Sequence, residues 1–252
     1  WGVGFPGWHI ECSAMSRKYL GDQFDIHGGG MDLAATHHTN EIAQSQACNH
    51  TQPAKYWMHT NMLTVNGTRM SKSAGNGFLP HELFSGSHPL LNRGYSPMAV
   101  RFFMLQAHYR STLDFSNEAL EAADMGYKRL MNAMALLPKL KASGKKAESD
   151  VAALRQRCYE AMDDDFNSPV LIAELFEAVR IVNSLYDGKL TIDPLSLEEL
   201  RTLMQHFVHD VLGLLDDNTG SDDFEKVMEV IIELRNEAKQ NKDYATSDRI
   251  RD

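Results

Sequence analysis

Cysteine is scarce in this chain, with 3 among 252 residues. An odd count that small excludes a disulfide-held scaffold and fits a reducing compartment. Long apolar runs are missing as well. No stretch approaches the ~18 consecutive apolar residues that a membrane helix needs, so no membrane association is expected. Proline is limited to 8 residues and glycine to 17, without repeats or low-complexity tracts. Collagenous and disordered chains are therefore excluded. Positive charge is also short. There are 25 Lys and Arg against 34 Asp and Glu, a net charge of -9.

The imbalance is local. Residues 1–115 hold 8 basic and 7 acidic residues, leaving 17 and 27 for the remainder. Nine of the 11 histidines fall in the first part. An acidic second part argues against diffuse nucleic-acid binding and still permits a local basic groove. The length allows one large domain or two ordinary ones. The chain opens on Trp1 with no charged and apolar leader pattern behind it, and it stops at Asp252 inside a helical run. Both ends read as cuts in a longer protein.

The first half reads as α/β. Gln23–His27 suggests a strand that runs into Gly28-Gly29-Gly30, where the backbone can turn or approach a ligand. A helix is expected from about Ala35 to Cys48. Residues 55–70 suggest a hairpin of Met62-Leu63-Thr64-Val65 and Thr68-Arg69-Met70 turning at Asn66-Gly67, a dipeptide suited to positive φ. Residues 84–97 read as a loop and Met98–Ala107 as a helix. Beyond Ser116 the apolar spacing becomes helical. Leu120, Tyr127, Leu130, Met131, Met134 and Leu137 share a face, as do Val151, Leu154, Cys158 and Met162. Ser168-Pro169 predicts a capped helix start, with Leu171, Leu175, Val179, Val182 and Tyr186 following on one face. Ser196-Leu197-Glu198-Glu199 predicts a capping box ahead of Leu200, Leu203, Phe207, Val211 and Leu214. A last helix holds Phe224, Val227, Ile231 and Leu234. Short links between such helices suggest an antiparallel bundle.

Three constellations bear chemistry. Cys12, His37 and Glu41 offer a thiolate, an imidazole and a carboxylate, and the last two stand four apart on one helix face. All three are zinc-ligand types, and three ligands leave a position open. His38 could replace His37. Spacing alone also suits a surface pair and a core cysteine. Arg69-Met70-Ser71-Lys72-Ser73 places two cations and two hydroxyls just after a tight turn. A mobile loop of this kind can close on a polyphosphate and neutralise a leaving pyrophosphate; a solvated basic turn is the plainer alternative. Trp8, four residues before Cys12, could wall a pocket. His27 and Asp32 flank the glycines and could bind polar substrate groups or cap the next helix.

Together these segments resemble cysteinyl-tRNA synthetase, a class I family. The resemblance is carried by Gly7-Trp8-His9-Ile10-Glu11-Cys12-Ser13-Ala14-Met15, Asp25-Ile26-His27-Gly28-Gly29-Gly30, Asp32-Leu33 and His37-His38. It continues through Asn40-Glu41-Ile42-Ala43-Gln44-Ser45 and Arg69-Met70-Ser71-Lys72-Ser73-Ala74-Gly75-Asn76. Asp164-Asp165-Phe166-Asn167-Ser168-Pro169 and Lys242-Asp243-Tyr244-Ala245-Thr246-Ser247-Asp248 extend it to nearly the whole chain.

The resemblance implies α/β followed by all-α. Residues 1–60 would be the C-terminal half of a Rossmann-type catalytic domain with a zinc site. Residues 61–115 would be a stem-contact segment with the Arg69–Ser73 loop. Residues 116–220 would be an antiparallel, tRNA-docking bundle, and 221–252 the start of an anticodon-binding region. It implies cysteine activation by ATP, with Mg2+, to cysteinyl-adenylate, then transfer to tRNA(Cys), by a cytoplasmic monomer. By the same resemblance Cys12, His37 and Glu41 match three of four zinc ligands, which favours His37 over His38. Lys72 matches the ATP-binding and catalytic lysine, and Trp8, His27 and Asp32 match positions around bound L-cysteine. One metal bond to a soft thiolate would then separate cysteine from serine.

Departures are also visible. The His-x-Gly-His nucleotide signature and the fourth ligand, a Cys, do not occur, so residues 1–252 alone are expected to be inactive with weakened zinc binding. Ala34-Ala35-Thr36 replaces an apolar-aromatic-Pro run, and Arg69 replaces a Lys. Ser85–Tyr95 is longer than usual and expected on the surface. Two other readings share the core: a mycothiol-type cysteine:amino-sugar ligase, and a non-catalytic RNA-binding module derived from a synthetase.

Overall fold

A computed structural model describes residues 2–71, 73–144, 150–217, 222–241 and 243–251, the side chains at 222–230 and 251 excepted. The chain begins with α1 (His9–Leu20), β1 (Phe24–Gly30), α2 (Met31–Leu33), a π-helical turn (Ala34–His38), α3 (Thr39–Asn49) and β2 (Ala54–Thr60). β1 and β2 pair in parallel, with Ile26 opposite Tyr56 and Gly29 opposite His59. The front of the 55–70 segment is thus a separate parallel strand and no part of the expected hairpin. Residues 54–60 return through α3 to lie beside β1, and parallel strands need such a crossover. The glycines belong to the strand itself instead of a turn.

The hairpin itself forms around Asn66-Gly67 with its strands where the sequence placed them. β3 (Leu63–Val65) and β4 (Thr68–Arg69) are antiparallel. Asn66 and Gly67 take φ of 49° and 74° between them, both left-handed, as a tight hairpin turn requires. β5 (Leu113–Phe115) joins the other side of β3 in parallel. Between them lie α4 (Pro80–Ser85) and α5 (Pro97–Leu105). The loop after α4 is mostly exposed, but His88 and Tyr95 are buried and anchor it. A wholly surface course for Ser85–Tyr95 is therefore corrected. Arg93 explains part of that anchoring, since it stacks on the Tyr95 ring and binds buried Asp124.

The helical half comprises α6 (Asn117–Leu136), α7 (Val151–Asp163), α8 (Ser168–Tyr186), α9 (Pro194–Gln205), α10 (Asp222–Gln240) and α11 (Tyr244–Arg251). Ser116 caps α6 by accepting from Ala119 N. Two other starts differ from expectation by a residue or more. Asn167 caps α8, and Ser168 donates to Leu105 O instead. Asp193 caps α9, accepting from Leu195 N and Ser196 N, while Ser196 donates back to it. Asp and Asn cap at least as well as Ser, and proline tolerates the first turn after either. Tyr186 is 55% exposed and leaves the buried face predicted for it. Ile231 and Leu234 on α10 are likewise exposed.

One apolar core runs from Val65 and Phe115 through Phe102 and Phe103 of α5 into Leu120, Tyr127, Leu154, Leu175 and Leu203 of the helices. The α/β part is different. Its buried side chains, Pro53 and Ala54 apart, are polar: His37, His38, Glu41 and Ser45. Burying polar groups is unfavourable unless they are paired, so this interior marks the site.

Candidate metal and substrate site

α1 and α3 lie side by side. Ser13 Oγ donates to Gln44 Oε1 at 2.6 Å, and Gln44 Nε2 lies 3.0 Å from His9 Nδ1. That brace brings Cys12, half-buried on α1, against His37 and Glu41. One ligand atom from each lies within 4.8 Å of the others. The i, i+4 spacing acts as expected, with His37 Nε2 3.0 Å from one Glu41 oxygen. The other oxygen is 3.0 Å from His27 Nε2. Glu41 is only 2% exposed, and each of its oxygens lies against an imidazole.

The π-helical turn explains why two neighbouring histidines are buried. An α-helix turns successive side chains well apart, whereas a wide π turn changes the register, as it often does at functional sites. His37 and His38 are 7% and 3% exposed. His38 faces a second group, with the ring of His27 at 4.9 Å and that of Trp57 at 5.0 Å. Its Nδ1 lies 2.8 Å from His59 Nε2. His27, His38 and Glu41 form an alternative donor group on the same distance criterion. Gly29 makes room for this ring: a Cβ there would lie 2.7 Å from His38 Cε1.

Burial, and then the Glu41 charge, push the Cys12 thiol above its ordinary range. Burial, and then the facing His27, push His38 down. Both effects disfavour the form that carries charge in a site already containing a carboxylate and several imidazoles. A bound cation would reverse the pressure on Cys12.

The remaining sequence candidates divide. Trp8 sets its ring 4.5 Å from His37, edge-on, and is exposed on its other side. Asp32 is exposed and folds towards its own strand end, where a Cβ on Gly30 would meet Asp32 Oδ1 at 2.3 Å. It belongs to neither donor group. Lys72 lies outside the described residues. Around it, Asn76 is buried and closes the loop, accepting from Ser71 N at 2.9 Å and donating to Arg69 O at 3.2 Å. Ser71 Oγ accepts from Ala74 N, and Gly75 has φ of 62°. Sequence reasoning missed Trp57 and His59. The available signal was their spacing of two on a strand, which puts both on one face.

Residues 1–125 match the family model described as tRNA synthetases class I (C) catalytic domain, and residues 157–216 match the DALR domain. The whole chain is 55% identical to a cysteine–tRNA ligase of Porphyromonas gingivalis and 52% identical to one of Bacteroides fragilis. A cysteine–tRNA ligase of Parabacteroides distasonis is 51% identical. The chain belongs to the cysteine–tRNA ligase family of class I synthetases. It spans about half the length of these curated relatives, 52% in each case. A solved LeuRS of Agrobacterium radiobacter, in a ternary complex with tRNA and LeuAMS, is similar over 75% of this chain and 26% of that one. At 19% identity and a TM-score of 0.54 it shows the fold alone. That fold is a class I synthetase catalytic part followed by a helical domain. Among the described residues no helix is long and apolar enough to cross a membrane.

Proposed function

We propose that this chain is the zinc-bearing part of an enzyme that activates cysteine with ATP and passes the cysteinyl group to tRNA. The buried donor set of Cys12, His37 and Glu41 carries the reading. Its chemistry fits the metal that the family implies, since thiolate, imidazole and carboxylate together are zinc ligands. These three residues would hold it. Bound there, zinc supplies a Lewis acid with an open position that takes a soft substrate thiolate and discriminates against a hydroxyl.

The chain's own residues do the rest. His27 holds the far Glu41 oxygen and so orients the carboxylate. Trp8 stands against His37 and shields one side of the pocket. Asp32, exposed at the end of β1, offers an anion to the substrate ammonium. Lys72 neutralises charge that develops on the leaving pyrophosphate, on a loop whose ends Asn76 fastens. Residues 1–60 supply the metal site, 61–115 contact the acceptor stem, 116–220 dock tRNA, and 221–252 begin the anticodon-binding region. The reading carries a cytoplasmic enzyme acting as a single chain, and the three free cysteines accord with it.

The test is ATP–pyrophosphate exchange by the full-length protein without tRNA, with cysteine and with serine. Exchange with cysteine and none with serine is expected. No exchange by folded, zinc-loaded protein would refute the catalytic reading. Transfer to an amino sugar and not to tRNA would move the enzyme to the mycothiol type.

A further inference from the structure

The turn between α7 and α8 holds two successive left-handed residues, Asp165 at φ 55° and Phe166 at φ 57°. Neither is glycine, and two in a row are uncommon, so the surroundings must hold them there. The conformation throws Asp165 out of the helical half onto the segment before β5. Tyr109 Oη donates to Asp165 Oδ1 at 2.6 Å, and Arg110 Nη1 donates to Oδ2 at 2.9 Å. His108 Nδ1 accepts from Arg110 N at 3.2 Å, which leaves the ring proton on Nε2 to donate to Asp165 O at 3.1 Å. The Tyr109 hydrogen bond, above all, holds the Asp165 carboxyl below its ordinary range.

The gripped segment in turn grips β2. Asn61 N donates to Tyr109 O and Asn61 Nδ2 donates to Arg110 O, both at 3.0 Å. Asn61 is the residue after β2, and His59 lies two before it, 2.8 Å from His38 Nδ1. Close packing does not back this strand end. A cavity of about 240 Å³ lies there, lined by Met31, Trp57, His59, Tyr109, Arg110 and Asp165 among others. His59 is set opposite Gly29 by the strand pairing and touches the Trp57 and His38 rings, while the strand end just beyond it, beside the cavity, is held by the Asn61 hydrogen bonds.

We infer that Asp165 is a positioning residue that ties the helical half to the end of β2 and so steadies His59 in its place beside His38 at the candidate cysteine site. The inference rests on the cysteine-activating reading for its kinetic consequence, but not for its structural one. Ser168 Oγ on Leu105 O at 2.8 Å fastens α8 to α5 independently. Removing the carboxylate therefore leaves the two halves joined.

Asp165→Gly suits the test, because glycine accepts φ near 55° and deletes only the side chain. Asp165→Asn keeps the shape, and asparagine tolerates the same backbone. In the full-length protein, hydrogen exchange at amides 59–62 should quicken about fivefold to tenfold in Asp165→Gly and about twofold in Asp165→Asn. In pyrophosphate exchange, the cysteine KM of Asp165→Gly should rise by a similar factor, with kcat within about twofold. In a His59→Ala background Asp165→Gly should add nothing further to KM, which a general loss of stability would not produce. Unchanged amide exchange, or additive KM effects, overturns the proposal. A wild-type protein without pyrophosphate exchange overturns the catalytic reading instead, and the amide measurement then decides the positioning role by itself.

Discussion

Glu41→Gln probes the site most directly. Glu41 is 2% exposed and its two oxygens sit 3.0 Å from His37 Nε2 and 3.0 Å from His27 Nε2. Glutamine keeps the volume and removes the charge. Without metal, two effects oppose each other. Charge-assisted hydrogen bonds of about 1.5–3 kcal/mol each are lost, and a desolvation penalty of several kcal/mol is relieved. The metal-free proteins should then differ by no more than about 1–2 kcal/mol. Zinc separates them. A four-ligand zinc site binds with about 10–16 kcal/mol, so one ligand accounts for about 3–4 kcal/mol, or about 10²–10³ in affinity. At free zinc 100 times the wild-type Kd, the wild type gains about 2.7 kcal/mol, and a variant weakened about 10²-fold gains about 0.4 kcal/mol. The difference of about 2.3 kcal/mol corresponds to a Tm gap of about 5–9 °C for a cooperative unit of this size. Thermal unfolding of the full-length protein in chelator and in buffered zinc measures it, and competition with a chromophoric chelator gives the affinity. Equal zinc-induced shifts in wild type and Glu41→Gln would refute the assignment of Glu41 as a ligand.

Cobalt substitution separates the two donor groups around Glu41. In the full-length protein a thiolate-to-cobalt charge-transfer band should appear in the wild type, lose about half its intensity in Cys12→Ala, weaken in His37→Ala and persist in His38→Ala; a band of unchanged intensity in Cys12→Ala counts against the site. Lys72→Ala should lower kcat for pyrophosphate exchange by about 10²-fold or more while leaving cysteine KM nearly unchanged, because its interaction belongs to the transition state. A change confined to KM contradicts that role. Cys158 is fully buried and burial pushes its thiol up to about 12. Its folded value is raised, so its contribution to stability is complete below the ordinary value of 9.0 and is lost as pH climbs towards about 12. Stability should then fall by up to about 1.4 kcal/mol per pH unit in that window from this thiol. A Cys158→Ala variant should lack this part of the decline in alkaline denaturation curves.

What could be read in the chain beforehand depends on the range of the interaction. His37 and Glu41 were legible because a helix repeats every 3.6 residues, and four positions along it return to the same face. The helical half was legible for the same reason, and most of its predicted apolar positions are buried. Its starts were less so, since Asn167 and Asp193 stand next to Ser and Pro residues that cap or open helices equally well. β2 was missed because its partner, β1, lies a whole crossover away, and nothing local in Lys55–Thr60 distinguishes a parallel strand from half of a hairpin.

That single missed pairing hid the other half of the site. Trp57 and His59 reach His38 because β2 lies parallel to β1 with His59 opposite Gly29. Gly29 has no side chain to obstruct the His38 ring, so the glycine run, the buried histidine pair and the strand histidine are one arrangement. The two donor groups share Glu41, yet only one contains a cysteine sulfur, and the other adds imidazoles in mutual contact. A soft, charged ligand favours the first group for zinc. The second is then left to hold Glu41 from behind, through His27, and to connect it by His38 and His59 to β2. Outer partners of this kind fix the orientation of a metal-binding side chain. Adjacent histidines that looked interchangeable in the sequence thus occupy different positions, His37 beside Cys12 and His38 against the strand.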